Sequence, residues 1–76
     1  MRAVADELRE ARVAAGCSQR ELARRLGKAH SHVSKIEAGA RRIDTLEFIL
    51  VAKALGIDPG ELTNRAVRRL QANASA

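Results

Sequence analysis

The amino-acid sequence predicts an all-α domain of five short helices. Glycines and helix-capping residues recur at short intervals along the 76 residues. Between them, apolar residues follow the 3.6-residue period of a helix, and no stretch shows the alternation typical of a β-strand. The length allows one small domain. Its core must be built mainly from Leu, Ile, Val and Ala, because the chain has a single aromatic residue, Phe48.

An amphipathic pattern predicts the first helix from about Val4 to Ala15. Leu8 and Ala11 share its inner face with these two residues, and Gly16 ends the helix. We expect Cys17, which follows this glycine, to pack in the core as a small apolar residue.

Two further helices lie on either side of a predicted tight turn. Ser18 and Glu21 form a capping-box pattern that opens the second helix, which runs to Leu26. Gly27 follows, where a helix–turn–helix needs a residue that tolerates positive φ. The third helix covers roughly 30–37 and ends before Gly39.

The last two helices also begin with capping signals. Asp44 and Glu47 form a second capping box, and the fourth helix closes at Gly56. Asp58 stands at the N-cap of the fifth helix, followed by Pro59 at its first position. We expect this helix to fade into a frayed tail over residues 73–76.

All of the excess positive charge lies in one window. Residues 18–42 hold seven bases and two acids, which gives +5, while residues 1–17 and 43–76 are each neutral. Such a concentration is typical of a surface that binds a polyanion. It is equally typical of a solvated helix face, so charge alone does not decide between the two.

The third helix has one apolar and one polar face. Val33 and Ile36 point to one side, while Ser31 and Lys35 lie opposite them, with His30 and Ser34 alongside. Lysine suits guanine O6 and N7, and serine and histidine can donate or accept. An ordinary amphipathic helix would show the same division.

Several independent marks between residues 8 and 62 resemble one family. They include the Ser18-Gln19 start, Gly27, the Val33/Ile36 pair and the closing segment ALGIDPGEL. This part of the chain is similar to the Cro/cI-type, lambda-repressor-like helix-turn-helix domains, the XRE family of transcriptional regulators.

The resemblance implies a compact five-helix, lambda-repressor-like DNA-binding domain over residues 1–72, with the helix-turn-helix at about 18–38. It implies that the third helix enters the major groove of double-stranded DNA, as in a repressor-type regulator. The expected base contacts are His30, Ser31, Ser34 and Lys35. The expected phosphate contacts are Gln19, Arg20, Lys28, His32, Arg41 and Arg42. The family pattern also implies an ion pair between Arg12 and Glu37.

Two positions depart from the family pattern. Lys28 replaces an apolar or small residue, and we expect it to reach a phosphate rather than the core. Ala29 stands where Ser or Thr commonly caps the third helix, and loss of this cap costs about 1 kcal/mol.

Other functions fit the sequence poorly. His30 and His32 diverge by about 200° around a helix, so they cannot share a metal ion. Ser31 beside His32 has no orienting acid for nucleophilic catalysis, and stacking aromatics for RNA are missing from the basic window. We expect no enzyme activity, no metal, no cofactor and no small-molecule effector site. The polar N-terminus and the lack of a long apolar run predict a cytoplasmic protein without a membrane span or signal peptide. The resemblance to DNA-binding regulators implies that it is associated with the nucleoid.

The last helix carries an apolar stripe whose role the sequence leaves open between core, dimer surface and partner site. We favour a homodimer that binds a palindromic site. The alternative is an antitoxin or adaptor domain whose main partner is another, toxin-like protein. The stripe consists of Leu62, Ala66, Val67 and Leu70.

Overall fold

The computed structural model describes residues 2–74 in full and the backbone of Ser75, and it contains five α-helices. Their bounds are α1 (Arg2–Ala14), α2 (Gln19–Leu26), α3 (His30–Glu37), α4 (Thr45–Ala54) and α5 (Pro59–Ser75). Within this part of the chain there is no strand. The all-α, five-helix prediction is therefore confirmed.

The core lies where the five helices meet. α2 packs on α3 and α4, and α5 packs on α1 and α4. The core side chains are aliphatic apart from the thiol of Cys17, and Phe48 packs against them while only partly buried. The largest fully buried side chains are Leu8 and Leu62. A core of small aliphatic residues lets short helices approach closely within extents of 36 × 24 × 22 Å.

Capping residues set most helix ends as expected. Asp44 and Glu47 form the complete capping box at α4, and Asp58 accepts from the amide of Glu61 at α5. The Ser18 hydroxyl accepts from the amide of Glu21, 3.0 Å away. The Glu21 carboxylate binds two arginines of its own helix, so its predicted contact with the Ser18 amide is replaced.

Two helix ends extend beyond the predicted positions. α1 begins at Arg2, because Ala3 and Ala5 are both buried and add apolar contact to its first turn. α5 continues through Ser75, into the segment expected to be a frayed tail, while Ala76 lies outside the described residues.

A pair of ionic contacts joins the first and last helices. Arg69 on α5 donates from Nε to Oε2 of Glu7 on α1 at 3.0 Å, and its Nη2 also pairs with Glu10. Glu7 is only 7% exposed, so this buried carboxylate is satisfied by a residue 62 positions away.

Candidate nucleic-acid interface

The turn between α2 and α3 is built on a left-handed glycine. Gly27 has φ +67° and ψ 33°, a conformation that costs a residue with a Cβ more than glycine. Its amide donates to the carbonyl of Arg24 at 3.1 Å, which ends α2. The chain then passes through Lys28 and the N-cap residue Ala29 before α3 begins at His30.

The inner face of α3 is anchored and its outer face is free of apolar residues. Val33 and Ile36 are 2% and 5% exposed. On the opposite side His30, Ser31 and Lys35 are exposed, as the helical period predicted. Ser34 is half-buried, and its hydroxyl donates to the carbonyl of Ser31 at 3.2 Å. Ser34 is therefore less accessible than the other three residues expected to contact bases.

A buried ion pair ties α1 to the end of α3. Arg12 donates from Nε to Oε2 of Glu37 at 2.7 Å and from Nη2 to Oε1 at 3.0 Å. Arg12 Nη1 also donates to the carbonyl of Cys17 at 2.8 Å. The hydrogen bonding of Arg12 to the Glu37 carboxylate is the main cause that raises the pKa of Arg12 above its usual value. The structure thus forms the pair that the resemblance implied.

The same carboxylate orients the first residue of α2. Gln19 donates from Nε2 to Oε1 of Glu37 at 3.0 Å, and Gln19 Oε1 lies 3.1 Å from Nε2 of His30. Because an ionised carboxylate only accepts, the amide nitrogen of Gln19 must face Glu37 and its oxygen must face His30. In this contact Nε2 of His30 acts as the donor to the Gln19 oxygen. Gln19, expected at a phosphate, thus has protein partners at both ends of its amide.

An acidic residue lies within the cationic surface, and sequence reasoning missed it. The Oε2 atom of Glu47 is 3.0 Å from Nε2 of His32 and 3.3 Å from Nη2 of Arg41. Its Oε1 accepts from the amide of Asp44 at 3.2 Å. That backbone hydrogen bond is the main cause that lowers the pKa of Glu47, with Arg41 adding to the effect. His32, expected at a phosphate, instead turns its Nε2 to this carboxylate.

The other bases of the window divide into two groups. Arg20, Lys28 and Arg42 are exposed. By contrast, Arg24 and Arg25 both bind Glu21, and their hydrogen bonds lower the pKa of that carboxyl to about 2. Arg25 also donates from Nη1 to the carbonyl of Ala54 at 2.8 Å. Both side chains remain exposed, but Arg24 is held by Glu21, and Arg25 by Glu21 and the C-terminal end of α4.

The structure also shows the environments of three residues for which the sequence made specific predictions. Ala29 takes the N-cap position with extended backbone and gives α3 no side-chain cap. Lys28 lies on the surface rather than in the core. Cys17 is 5% exposed and belongs to the hydrophobic core.

The apolar stripe of α5 has two environments, which corrects the expected dimer surface. Leu62 and Ala66 are 0% and 6% exposed, so they belong to the interior and are closed to a partner. Val67 and Leu70 keep 44% and 43% of their surface exposed. These two line an open groove of about 400 Å³ with Phe48.

A second apolar surface was not anticipated. Leu46 and Leu50, one turn apart on α4, are 64% and 47% exposed. These leucines remain exposed because α4 is apolar on both faces, and only one of these faces packs on the body. The run of apolar residues through α4 was the signal that could have identified them.

Two negative observations apply to the part of the chain that the structure covers. No group of three or more His, Cys, Asp and Glu side chains among residues 2–74 is placed to hold a metal ion. No helix in the described range has the length and apolar character needed to cross a membrane.

Comparison with known proteins agrees with this geometry. A family model described as helix-turn-helix matches residues 8–62. An XRE-family-like protein from Pseudomonas syringae pv. tomato is 45% identical, over 88% of this chain and 82% of that chain, with a TM-score of 0.82. The restriction-modification controller protein C.AhdI from Aeromonas hydrophila is 38% identical, over 80% of this chain and 92% of that chain, with a TM-score of 0.74.

One further solved structure is similar in fold. The clp gene regulator ClgR from Corynebacterium glutamicum matches 97% of this chain and 79% of that chain, with a TM-score of 0.90 at 24% identity. No curated protein matches the chain.

Proposed function

The chain belongs to the XRE family of helix-turn-helix DNA-binding regulators, which are not enzymes, and on that basis we propose that it binds specific double-stranded DNA sequences with α3 in the major groove. The main support is the outer face of α3. Exposed His30, Ser31 and Lys35 lie opposite the anchors Val33 and Ile36. The major groove admits one helix, and polar side chains of this kind can read base edges there.

The exposed bases outside α3 suit a different role. Arg20, Lys28, Arg41 and Arg42 can neutralise phosphates and fix the register of the domain on the duplex. The amino end of α2 adds free backbone amides and the positive end of its dipole. Base contacts from α3 then select the sequence, and phosphate contacts supply affinity that is common to all sequences.

We further propose that two copies bind a palindromic site through a dimer that includes Val67 and Leu70. Both side chains are exposed and border the groove beside Phe48, and burying them would remove apolar surface from water. A two-fold dimer places two recognition helices about 34 Å apart, one turn of DNA. The described domain, with extents of 36 × 24 × 22 Å, is small enough for two copies to meet that spacing side by side. Occupying a site of this kind in a promoter, within the cytoplasmic nucleoid, represses transcription.

Selection from a pool of random duplexes at physiological salt tests the DNA proposal. We expect a palindromic consensus with half-sites 10–10.5 base pairs apart, or a multiple of that spacing. On the selected duplex, the logarithm of affinity should fall with the logarithm of salt concentration by about 0.9 per neutralised phosphate. An affinity that does not change with salt, or a pool without a consensus, contradicts sequence-specific DNA binding.

Val67→Glu tests the dimer. A charge in the buried seam should give a monomer by light scattering and remove cooperative occupancy of the two half-sites. Val13→Glu is a matched control, because Val13 is also an exposed valine, at 60%, but lies on α1. An unchanged mass for Val67→Glu, or an equal loss for both variants, contradicts the proposed surface.

A second candidate function is favoured by the exposed leucines of α4. In this alternative the domain is an antitoxin or adaptor that presents Leu46 and Leu50 to a toxin-like protein, and DNA binding is secondary. Leu46→Gln separates the two functions, because it removes the apolar side chain without adding a charge beside Glu47. If the leucines serve only another protein, this variant keeps the mass and DNA affinity of the wild type but loses the co-purifying partner. If no partner co-purifies with the wild type, the adaptor function is rejected.

A further inference from the structure

Glu47 has an environment unlike that of the other acidic residues near the proposed DNA surface. Glu37 is buried against Arg12, and Glu21 lies with Arg24 and Arg25 toward the C-terminal end of α4. The Glu47 side chain, at the N-terminal end of α4, keeps 21% of its surface exposed. It therefore places a negative charge where the proposed surface meets solvent.

Glu47 has two side-chain partners, and both are hydrogen-bond donors on the proposed DNA side. His32 comes from α3 and Arg41 from the loop that follows it, and both contact the same oxygen, Oε2. The His32 side chain is 16% exposed and the Arg41 side chain 46% exposed. An approaching phosphate would compete with Glu47 for the same N–H groups, since a carboxylate and a phosphate accept hydrogen bonds from the same donors.

We propose that Glu47 weakens DNA binding by holding Arg41 and His32 in contacts that compete with the DNA phosphates. This inference rests on the proposed function. Replacing the Glu47 carboxylate releases Arg41 toward the phosphates of the DNA. It also removes a negative charge from the surface that the DNA approaches. Because phosphate contacts do not depend on base sequence, Glu47 lowers affinity for all duplexes and leaves the preferred sequence unchanged.

Glu47→Gln is the first test, measured by fluorescence anisotropy with a labelled duplex over a series of salt concentrations. Glutamine at this position still completes a capping box, so α4 keeps its start. The free energy of an exposed ion pair such as that between Glu47 and Arg41 corresponds to roughly a two- to fivefold change in affinity. We expect binding to tighten by that factor at low salt, with a log–log salt slope steeper by about 0.9 for one more neutralised phosphate.

Two further variants exclude simpler explanations. Glu47→Ala removes the charge without leaving an amide that could itself bind a phosphate, and circular dichroism shows whether it remains folded. Glu21→Gln is the matched control for net charge, because it also removes one acid that pairs with arginine, here Arg24 and Arg25. Arg25, which pairs with Glu21, contacts the carbonyl of Ala54, at the opposite end of α4 from Glu47. This ten-residue helix is about 15 Å long, and its length exceeds the screening length of about 10 Å at 0.1 M salt.

The pattern of results decides the proposal. We expect a clear gain for Glu47→Gln, little change for Glu21→Gln, and a smaller gain from Glu47→Gln when Arg41→Ala is already present. If the wild type binds duplex DNA but Glu47→Gln binds equally or more weakly, or gains no more than Glu21→Gln, the competing role is wrong and the DNA-binding function stands. If the wild type shows no salt-dependent binding to DNA, the proposed function itself fails.

Discussion

Replacing Glu37 with alanine should cause one of the largest losses of stability available to a single substitution in this domain. The Glu37 carboxylate is 4% exposed and the Arg12 side chain 12% exposed. It accepts two hydrogen bonds from Arg12 and one from Gln19. The substitution leaves a guanidinium and an amide in the interior without their shared acceptor.

The magnitude follows from this burial. Removing one partner of a buried ion pair costs about 3–5 kcal/mol, because the remaining charge is left uncompensated. Arg12 keeps its bond to the Cys17 carbonyl and a little solvent contact, so we expect the lower end, about 3 kcal/mol. A 76-residue domain has a total free energy of unfolding of roughly 4–11 kcal/mol. The expected fall in melting temperature is roughly 12–24 °C.

Thermal unfolding followed by circular dichroism measures this effect. Glu21→Ala is the comparison, since Glu21 is also paired with arginine, here Arg24 and Arg25, but in an exposed position, and its effect should be much smaller. The double variant Arg12→Met with Glu37→Leu replaces both charges with apolar groups and should recover most of the loss. If Glu37→Ala and Glu21→Ala reduce the melting temperature equally, the buried pair does not have the role assigned to it.

Three further outcomes test separate parts of the structure. Lys35→Ala should cost roughly 1–3 kcal/mol on the preferred duplex and relax preference at one base pair, whereas Arg42→Ala should weaken all sequences alike; equal behaviour in a binding titration contradicts these roles. Ala29→Ser supplies the missing cap of α3 and should raise stability by about 1 kcal/mol, seen as a higher melting temperature; no rise means that the N-terminus of α3 gains nothing from a side-chain cap. Arg24 and Arg25 lower the pKa of Glu21 to about 2, so the contribution of this carboxylate to stability is present above about pH 4.5 and is lost as pH falls toward 2. The wild type should therefore lose more stability over this range than Glu21→Gln does. Equal losses in the two proteins argue against the ion pair.

Local signals predicted the helices well because caps and glycine turns act over a few residues. Gly27 and the Asp44–Glu47 capping box were correctly placed for this reason. The Glu21 contact with the Ser18 amide failed, since two arginines on the same helix face compete for the carboxylate. The start of α1 was missed because burial of Ala3 depends on tertiary packing, which no local pattern records.

The position of the site was predictable from the sequence, but the contacts among its side chains were not. Helical periodicity gave the direction of Lys35 and Ser31, but it could not show that His32 meets Glu47, 15 residues away. The stripe on α5 illustrates the same limit. A helical wheel places Leu62 and Val67 about 140° apart, at the two edges of the stripe, and only the packed structure shows which edge is covered.

The contact between Glu7 and Arg69 has a consequence for the order of assembly during translation. Residues separated by 62 positions must meet before α1 and α5 close on each other, and the entropy of closing so long a loop opposes their meeting. Because α1 through α4 are synthesised before Arg69, the part of α1 that packs on α5 stays uncovered until the last helix follows. Completion of the body therefore waits for its last helix, and we expect a chain interrupted ahead of Arg69 to leave apolar surface of α1 open to aggregation.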